Sequence, residues 1–249
     1  MVPAMRNARV IPLCLLALAT AAAAERKADP LWVIVNAPDR TDDDKKEDAS
    51  RKPLDVLRFS GVKPGMHVAD IGAGGGYTTE LLARAVGPKG VVYAQNTKTI
   101  IEKFVGPAWE KRLASPADKN VKGVVREFDE PLPPDAKDLD LVVIAFIYHD
   151  TVWLGTDRAK MNKQIFDSLK KGGVYLILDH AGRDGTGTTE TKTLHRIEKK
   201  AVIDDVTKAG FKLEAEGDFL RNPDDPKTAG VFTDIRGKTD RFALKFVKP

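Results

Sequence analysis

An alternation of strand-like and helix-like segments after Val62 constrains the fold of this chain most strongly. Short apolar runs alternate five times with segments whose apolar residues recur at helical spacing. The fourth run, Leu139–Ile147, is apolar almost throughout, which is typical of a strand buried on both faces of a sheet. This order predicts an α/β fold with a doubly wound, mostly parallel sheet and helices on both faces.

Two further strand patterns, residues 211–216 and 241–247, extend the predicted sheet to seven strands. A segment rich in Pro, Asp, Gly and Thr joins them, and it contains no helical pattern. Because strands that lack a helical crossover pair antiparallel, we predict an antiparallel last strand. A single domain over residues 61–249 accounts for all of these elements.

A glycine-rich turn follows the first strand pattern and opens the next helix pattern. It reads Asp70-Ile71-Gly72-Ala73-Gly74-Gly75-Gly76. Glycine lets a ligand approach the backbone, and in an open α/β sheet such a turn lies at the carboxyl edge, where ligands bind. Tyr77 replaces the last glycine of a dinucleotide fingerprint, and no Gly-Lys-Ser/Thr follows as in a phosphate-binding loop. The turn therefore predicts a different ligand, with a merely structural tight turn as the alternative.

The placement of Asp70 before Gly-x-Gly-x-Gly resembles the first motif of the class I S-adenosylmethionine-dependent methyltransferases. Four segments carry this resemblance: HVADIGAGGGYTTELLA, LKKGGVYLILDH, FKLEAEG and DRFALKFV. It covers roughly residues 54–249. It implies a Rossmann-like methyltransferase fold, S-adenosylmethionine as the cofactor, and methyl transfer to a small-molecule acceptor, with oxygen slightly favoured.

Further segments narrow the resemblance. TLHRIE, FLRNPDD and RGKTDRF resemble a group of exported bacterial proteins that are predicted methyltransferases. The competing hypothesis is a non-catalytic protein that binds S-adenosylmethionine or another small ligand on the same fold. Release of S-adenosylhomocysteine in the presence of an acceptor separates the two.

The resemblance also assigns cofactor-binding roles to individual residues. Asp70 would hold the ammonium group of the cofactor, and Asn96 stands where the family usually has an acid for the ribose hydroxyls. Asp129 stands where the family commonly contacts the adenine amino group, with a solvated turn as the alternative. The full predicted set is Asp70, Gly72, Ala73, Gly74, Gly76, Asn96 and Asp129.

Candidate catalytic residues follow the fourth and fifth strand patterns. Methyl transfer is a direct displacement, so the protein mainly aligns the reactants, and a base helps when the acceptor carries a proton. We predict catalytic roles for Tyr148, His149 and His180, with His149 as the general base and His180 as its rival. His195 is predicted at the same edge, in the next helix. A hydrogen-bonded structural histidine is the alternative for each, and His67 is expected to be structural.

Neither a metal nor a nucleic acid is predicted. Asp150, Asp179 and His180 could form a hard-metal set. However, cation-dependent O-methyltransferases carry an acidic ligand at the end of strand four, where this chain has Ala145-Phe146. The same strand lacks the Asn/Asp-Pro-Pro-Tyr/Phe ending of enzymes that methylate the adenine amino group. The expected partner is a small molecule, and the sequence does not decide the oligomeric state.

Residues 1–24 have the pattern of a secretory signal peptide. Arg6 and Arg9 precede the apolar run Val10–Ala19, and Ala22-Ala23-Ala24 offers a cleavage site. The run is shorter than the roughly 20 residues that span a bilayer, so we predict a periplasmic or secreted protein that leaves the membrane after cleavage. A buried N-terminal helix is the alternative. The remaining chain has 38 basic and 36 acidic residues and no cysteine, which gives no support to nucleic-acid binding.

Residues 25–60 form a densely charged N-terminal extension with helical character. The simplest interpretation is a solvated helical surface or linker. The alternative is a helix folded over a site, with Arg40 or Arg51 pointing into it.

Overall fold

A computed structural model describes residues 29–249, so the predicted signal peptide lies outside the described residues. Three short helices come first: α1 (Pro30–Val35), α2 (Asp42–Arg51) and α3 (Pro53–Ser60). The remaining elements are, in chain order, β1 (His67–Ile71), α4 (Tyr77–Val86), β2 (Val91–Asn96), α5 (Lys98–Ile100), a π-helical turn (Ile101–Val105), α6 (Gly106–Leu113), β3 (Val121–Val125), β4 (Leu139–Ala145), α7 (Tyr148–Trp153), α8 (Arg158–Ser168), β5 (Leu169–His180), α9 (Lys199–Lys208), β6 (Lys212–Gly217) and β7 (Arg241–Val247). No helix within residues 29–249 combines the length and apolar character that a bilayer span requires.

The strands form one seven-stranded sheet in the order β3-β2-β1-β4-β5-β7-β6. The first five strands run parallel, and β7 lies between β5 and β6, antiparallel to both. The predicted fold class is therefore confirmed, including the antiparallel last strand. In this arrangement the turns after β1, β2, β4 and β5 meet at one edge of the sheet.

The core lies on both faces of the sheet, as the continuous apolar run of β4 predicts. Leu139, Val142 and Ile144 pack on one face, and Leu141 and Val143 pack on the other. All five side chains are at most 1% exposed. Truncating such a residue, for example Ile144→Ala, would cost about 2–5 kcal/mol, so β4 is a rigid base for the turn that follows it.

Two predicted helix boundaries are wrong. The apolar spacing in the sequence predicts a helix over residues 157–170, but this helix ends at Ser168 because Leu169 already pairs with Leu139 of β4. The helix predicted to include His195 begins only at Lys199, since Ile197 instead forms a bridge with Ala181. Both errors come from contacts between distant segments, which helical periodicity does not reveal.

Candidate active site

A cleft of about 880 Å³ opens at the carboxyl edge of β1. Its lining includes Asp70, the turn Gly72–Gly75 and, after β4, Phe146 and Ile147. Gly72 and Gly74 have φ angles of +66° and +58°, a region that favours glycine. A Cβ atom added at Gly74 would meet no atom within 4 Å. The backbone of the turn is therefore open to a ligand in the cleft.

Two side-chain amides at the end of β2 hold this turn. The Gly72 amide donates to Gln95 Oε1 at 2.9 Å, and the Gly74 amide donates to Asn96 Oδ1 at 2.9 Å. Asn96 Nδ2 in turn donates to the Gly74 carbonyl at 2.9 Å. Asn96 is fully buried with both polar atoms engaged. In this structure Asn96 supports the turn, and its predicted contact with a ribose stays a prediction.

Asp70 is a buried carboxylate that lines the cleft. Its Oδ2 atom accepts a hydrogen bond from Thr79 Oγ1 at 2.6 Å. Burial raises the pKa of Asp70 to about 7, although the Thr79 bond and the charge of Arg51 oppose the shift. A cation bound beside Asp70 would stabilise its ionised form, which fits the predicted contact with an ammonium group.

Two further predicted cofactor residues, Gly76 and Asp129, are not among the residues that line this cleft. Gly76 caps the start of α4 and lies against α6, where a Cβ atom would be 2.5 Å from Arg112 Cγ. Asp129 accepts a hydrogen bond from the Asp157 amide at 2.7 Å and thereby holds the loop before α8. Of the seven predicted residues, the lining of the cleft brings together Asp70, Gly72, Ala73 and Gly74.

Helix α2 of the charged extension lies over the cleft. Asp44 pairs with Arg112 of α6 at 2.7 Å, and both side chains are largely buried. Asp48 accepts a hydrogen bond from Tyr77 Oη at 2.6 Å and pairs with Arg40 at 2.7 Å. Asp44 and Arg51 of α2 line the cleft, which fits the alternative of a helix folded over a site. The helix also keeps a solvated face, because none of its residues is fully buried.

Two arginines meet at Phe146, on the β4 side of the cleft. The guanidinium carbon of Arg51 lies 5.5 Å from the Phe146 ring centroid, and that of Arg241 lies 5.6 Å from it. Arg241 is 7% exposed, and burial together with the charge of Arg51 lowers its pKa. Phe146 has a φ angle of +61°, a strained conformation of the kind that clusters at functional sites. This side of the cleft is suited to an anionic or aromatic molecule.

His149 lies in α7, and each of its two ring nitrogens is within hydrogen-bond distance of a neighbouring side chain. Nδ1 is 2.7 Å from Asp179 Oδ1, and Nε2 is 3.1 Å from Asp150 Oδ1 and 3.3 Å from His195 Nδ1. Burial lowers the pKa of His149, but the two carboxylates outweigh it and raise the pKa to about 10. His149 is 1% exposed. This geometry argues against the predicted general base, because the ring is buried and its Nε2 atom faces Asp150 and His195.

His180, the rival candidate, packs beside Phe146 of the cleft lining. It is half-buried, its ring centroid lies 5.3 Å from that of Phe146, and Nδ1 lies 2.8 Å from Thr239 Oγ1. Burial and nearby positive charges, first His149 and then Arg241, lower its pKa well below the ordinary range. His180 is therefore neutral near pH 7, and Nε2 has no hydrogen-bond partner within residues 29–249.

Tyr148 does not contribute to this site. It is fully buried in the core, where its hydroxyl accepts a hydrogen bond from Asn162 Nδ2 at 2.9 Å. The predicted catalytic role of Tyr148 is corrected for this reason. His67 is exposed at the start of β1 and away from the carboxyl edge, as expected.

Asp150, Asp179 and His180, which the sequence suggests as a possible metal-binding set, do not form a ligand cluster in the described part of the chain. Asp179 bonds to the ring and the amide of His149, and His180 turns towards Thr239. The residues that do converge are His149, Asp150 and His195.

Sequence reasoning missed Gln95, Arg112 and Arg241. The sequence position of Gln95 could have indicated its role, since it directly precedes Asn96 at the end of the strand that follows the glycine turn. The sequence carries no signal for the other two, because Arg112 lines the cleft and Arg241 packs against Phe146 from segments far along the chain. Arg241 is the first residue of β7, next to His180 in the sheet.

Comparisons with known proteins agree with this architecture. Residues 51–133 match a family model for protein-L-isoaspartate(D-aspartate) O-methyltransferase. The ubiquinone/menaquinone biosynthesis C-methyltransferase UbiE of Vibrio vulnificus is 32% identical over 125 residues, which are 50% of this chain and 45% of the relative. The chain thus spans about half the length of the curated relatives it matches.

Solved structures cover more of the chain at lower identity. A SAM-dependent methyltransferase of Aquifex aeolicus superposes with a TM-score of 0.58 and 22% identity, over 92% of this chain and 98% of the other. Fibrillarin of Aeropyrum pernix, in complex with natively bound S-adenosyl-L-methionine, gives a TM-score of 0.53 and 15% identity, over 81% and 76%. These similarities show the fold.

Proposed function

We propose that this chain, which has the fold and first motif of the class I S-adenosylmethionine-dependent methyltransferases, transfers a methyl group from that cofactor to a small-molecule acceptor. The observation that carries the proposal is the glycine turn, whose open backbone and neighbouring carboxylate line one cleft at the carboxyl edge of β1. This is where ligands bind in open α/β sheets.

The residues of the cleft fit the cofactor. Gly74 leaves open space where a side chain would stand, and Asp70 offers a buried carboxylate to an ammonium group. We therefore assign the amino-acid end of S-adenosylmethionine to Asp70 and the Gly72–Gly74 backbone. When bound, the cofactor supplies an electrophilic methyl group on a sulfonium sulfur. The protein's task is then to exclude water and to align an acceptor, and helix α2, which lines the cleft, would contribute to both.

The acceptor is assigned to the β4 side of the cleft. Phe146 would contact its apolar part, while Arg51 and Arg241 would attract a carboxylate or a similar anionic group. His180, neutral near pH 7, would accept the proton of an oxygen nucleophile. We favour oxygen as the methylated atom because this site offers a base. The similar proteins include both an O-methyltransferase family and C-methyltransferases.

We also propose that the protein acts outside the cytoplasm, as a member of the exported group that it resembles. Support comes from the signal-like pattern of residues 1–24, with cleavage expected after Ala24. Cells that export the protein should yield a mature N-terminus at Glu25. A full-length N-terminus in the cytoplasmic fraction would contradict the assignment.

The test of the function is turnover. The purified full chain is incubated with S-adenosylmethionine and a panel of small phenols, hydroxy acids, thiols and amines, and S-adenosylhomocysteine is measured by mass spectrometry. We expect release to depend on an acceptor, with anionic oxygen acceptors preferred over neutral analogues. Tight cofactor binding without release for any acceptor would favour the alternative, a non-catalytic binding protein.

A further inference from the structure

We propose that His149, Asp150 and His195 bind a divalent first-row transition metal ion. Each residue offers one ligand atom, and the three atoms lie within 4.8 Å of one another. The site is separate from the glycine cleft, and the proposal holds whether or not the chain transfers methyl groups. Its chemistry, two imidazoles and one carboxylate, is a ligand set that holds metals in many proteins.

The triangle of ligand atoms has the dimensions of one face of a coordination sphere. The edges are 3.3 Å from His149 Nε2 to His195 Nδ1, 3.1 Å from His149 Nε2 to Asp150 Oδ1, and 3.0 Å from His195 Nδ1 to Asp150 Oδ1. Metal–ligand bonds of about 2.0–2.2 Å place neighbouring ligands roughly 2.8–3.1 Å apart in octahedral geometry and roughly 3.3–3.6 Å apart in tetrahedral geometry. An ion can therefore bind all three atoms with little movement of the side chains.

A second layer of hydrogen bonds orients these ligands. Asp179 Oδ1 accepts from His149 Nδ1 at 2.7 Å, which directs Nε2 of the same ring towards the cluster. Trp153 Nε1 donates to Asp150 Oδ1 at 2.8 Å. A carboxylate behind a ligating histidine is the usual support of protein metal sites.

The backbone also places His195 in this position. His195 lies in the loop between β5 and α9 and has a φ angle of +53°, which is uncommon for a residue with a side chain. Its side chain is 24% exposed, and its ring lies against the exposed aromatic residues Phe232 and Trp153, with centroids at 4.8 and 6.2 Å. The accessible side leaves coordination positions for water or a ligand.

A metal at this point would connect distant parts of the carboxyl edge. His149 and Asp150 belong to α7, directly after β4, whereas His195 lies more than forty residues later in the chain. The ion would therefore fix the β5–α9 loop against the β4 turn. Because imidazole nitrogen favours transition metals, we expect Zn²⁺ and Co²⁺ to bind far more tightly than Mg²⁺ or Ca²⁺.

The test is metal binding by the full chain, purified without a polyhistidine tag and dialysed against a chelator. Zn²⁺ is titrated by calorimetry into the wild type, His195→Ala and the control His67→Ala, which removes an exposed histidine outside the cluster. We expect one Zn²⁺ per chain, a loss of affinity of at least about 100-fold in His195→Ala, and no change in His67→Ala. Zinc at about a hundred times its Kd should raise the wild-type Tm by roughly 5–10 °C, but not that of His195→Ala.

Asp150→Asn, which keeps the shape of the side chain, provides a second variant if His195→Ala fails to fold by circular dichroism. Co²⁺ gives an independent readout, since its visible absorption reports nitrogen and oxygen ligands. Zinc binding by the folded wild type weaker than about 100 µM would overturn the proposal. Equal zinc affinity in the folded ligand variants and His67→Ala would do the same. In either case the three residues form a hydrogen-bonded cluster that holds a proton.

Discussion

The cofactor side and the acceptor side of the cleft are held in place in different ways. Around β1 and β2, the ligand meets mainly backbone, and the turn is fixed by Gln95 and Asn96, which sit together at one strand end. Around β4, β5 and β7, Phe146 lines the cleft, and His180 and Arg241 pack around its ring from well-separated segments. The first side is suited to binding one invariant molecule, and the second to chemistry that depends on the acceptor.

His180→Gln is expected to separate the two sides most clearly. Because His180 lies at Phe146 and away from the glycine turn, the variant should keep the affinity for S-adenosylmethionine. Turnover of an oxygen acceptor should fall by roughly 10²–10⁴, the usual contribution of a positioned base. Steady-state kinetics and calorimetry on the same preparations measure both effects, and His67→Gln serves as the control. Normal turnover by His180→Gln would show that His180 is not the general base.

The pH dependence of cofactor binding should come from Asp70, on the cofactor side of the cleft. Burial raises the pKa of Asp70 to about 7, and the ionised form is the one that attracts an ammonium group. Affinity should therefore rise by about tenfold between pH 6 and pH 8, and Asp70→Asn should abolish that rise. Since the pKa of Asp70 in the folded chain exceeds its ordinary value of 3.8, this group also lowers the free energy of unfolding as pH rises from about 4 to about 7. A wild-type affinity that is flat across this range would contradict the role of Asp70.

A smaller effect is expected from removing the ion pair that holds helix α2 at the cleft. The side chain of Asp44 in α2 is 13% exposed and pairs with Arg112, whereas that of the neighbouring Asp43 is 92% exposed and pairs with Lys46. Asp44→Asn should lower the free energy of unfolding by about 1.5–3 kcal/mol, because a largely buried charged bond is lost. Asp43→Asn should leave it within about 0.5 kcal/mol. Urea denaturation compares the two variants, and equal stability would mean that α2 is not held by this pair.

The same contrast explains how much the sequence could predict. The sheet, its antiparallel last strand and the glycine turn follow from local patterns, because each depends on residues close together in the chain. Gly74 and Asp70 could be assigned for that reason. The pair of His149 and His195 could not, since 45 residues lie between them and loop conformation decides whether they meet.

The errors in the catalytic assignment have the same physical origin. A histidine after a strand predicts an edge position, but not the direction of its ring. His149 turned out to face Asp179 in the interior, while His180 faces Phe146. Tyr148 points into the core, although it is the residue next to His149. The sequence leaves two roles for the charged extension, because a helix on the solvated surface and a helix folded over a site can have the same composition.

The central claim is that the glycine turn binds S-adenosylmethionine through its backbone, and a matched pair of glycine variants tests it. Gly74 and Gly65 have φ angles of +58° and +85°, and a Cβ atom at either position would meet nothing within 4 Å. The two Asp substitutions therefore carry similar backbone strain, but only position 74 lines the cleft. Calorimetry should show wild-type affinity in Gly65→Asp and a loss of at least about 100-fold in Gly74→Asp, from bulk and from repulsion of the cofactor carboxylate. Equal affinity in the two folded variants would contradict the account.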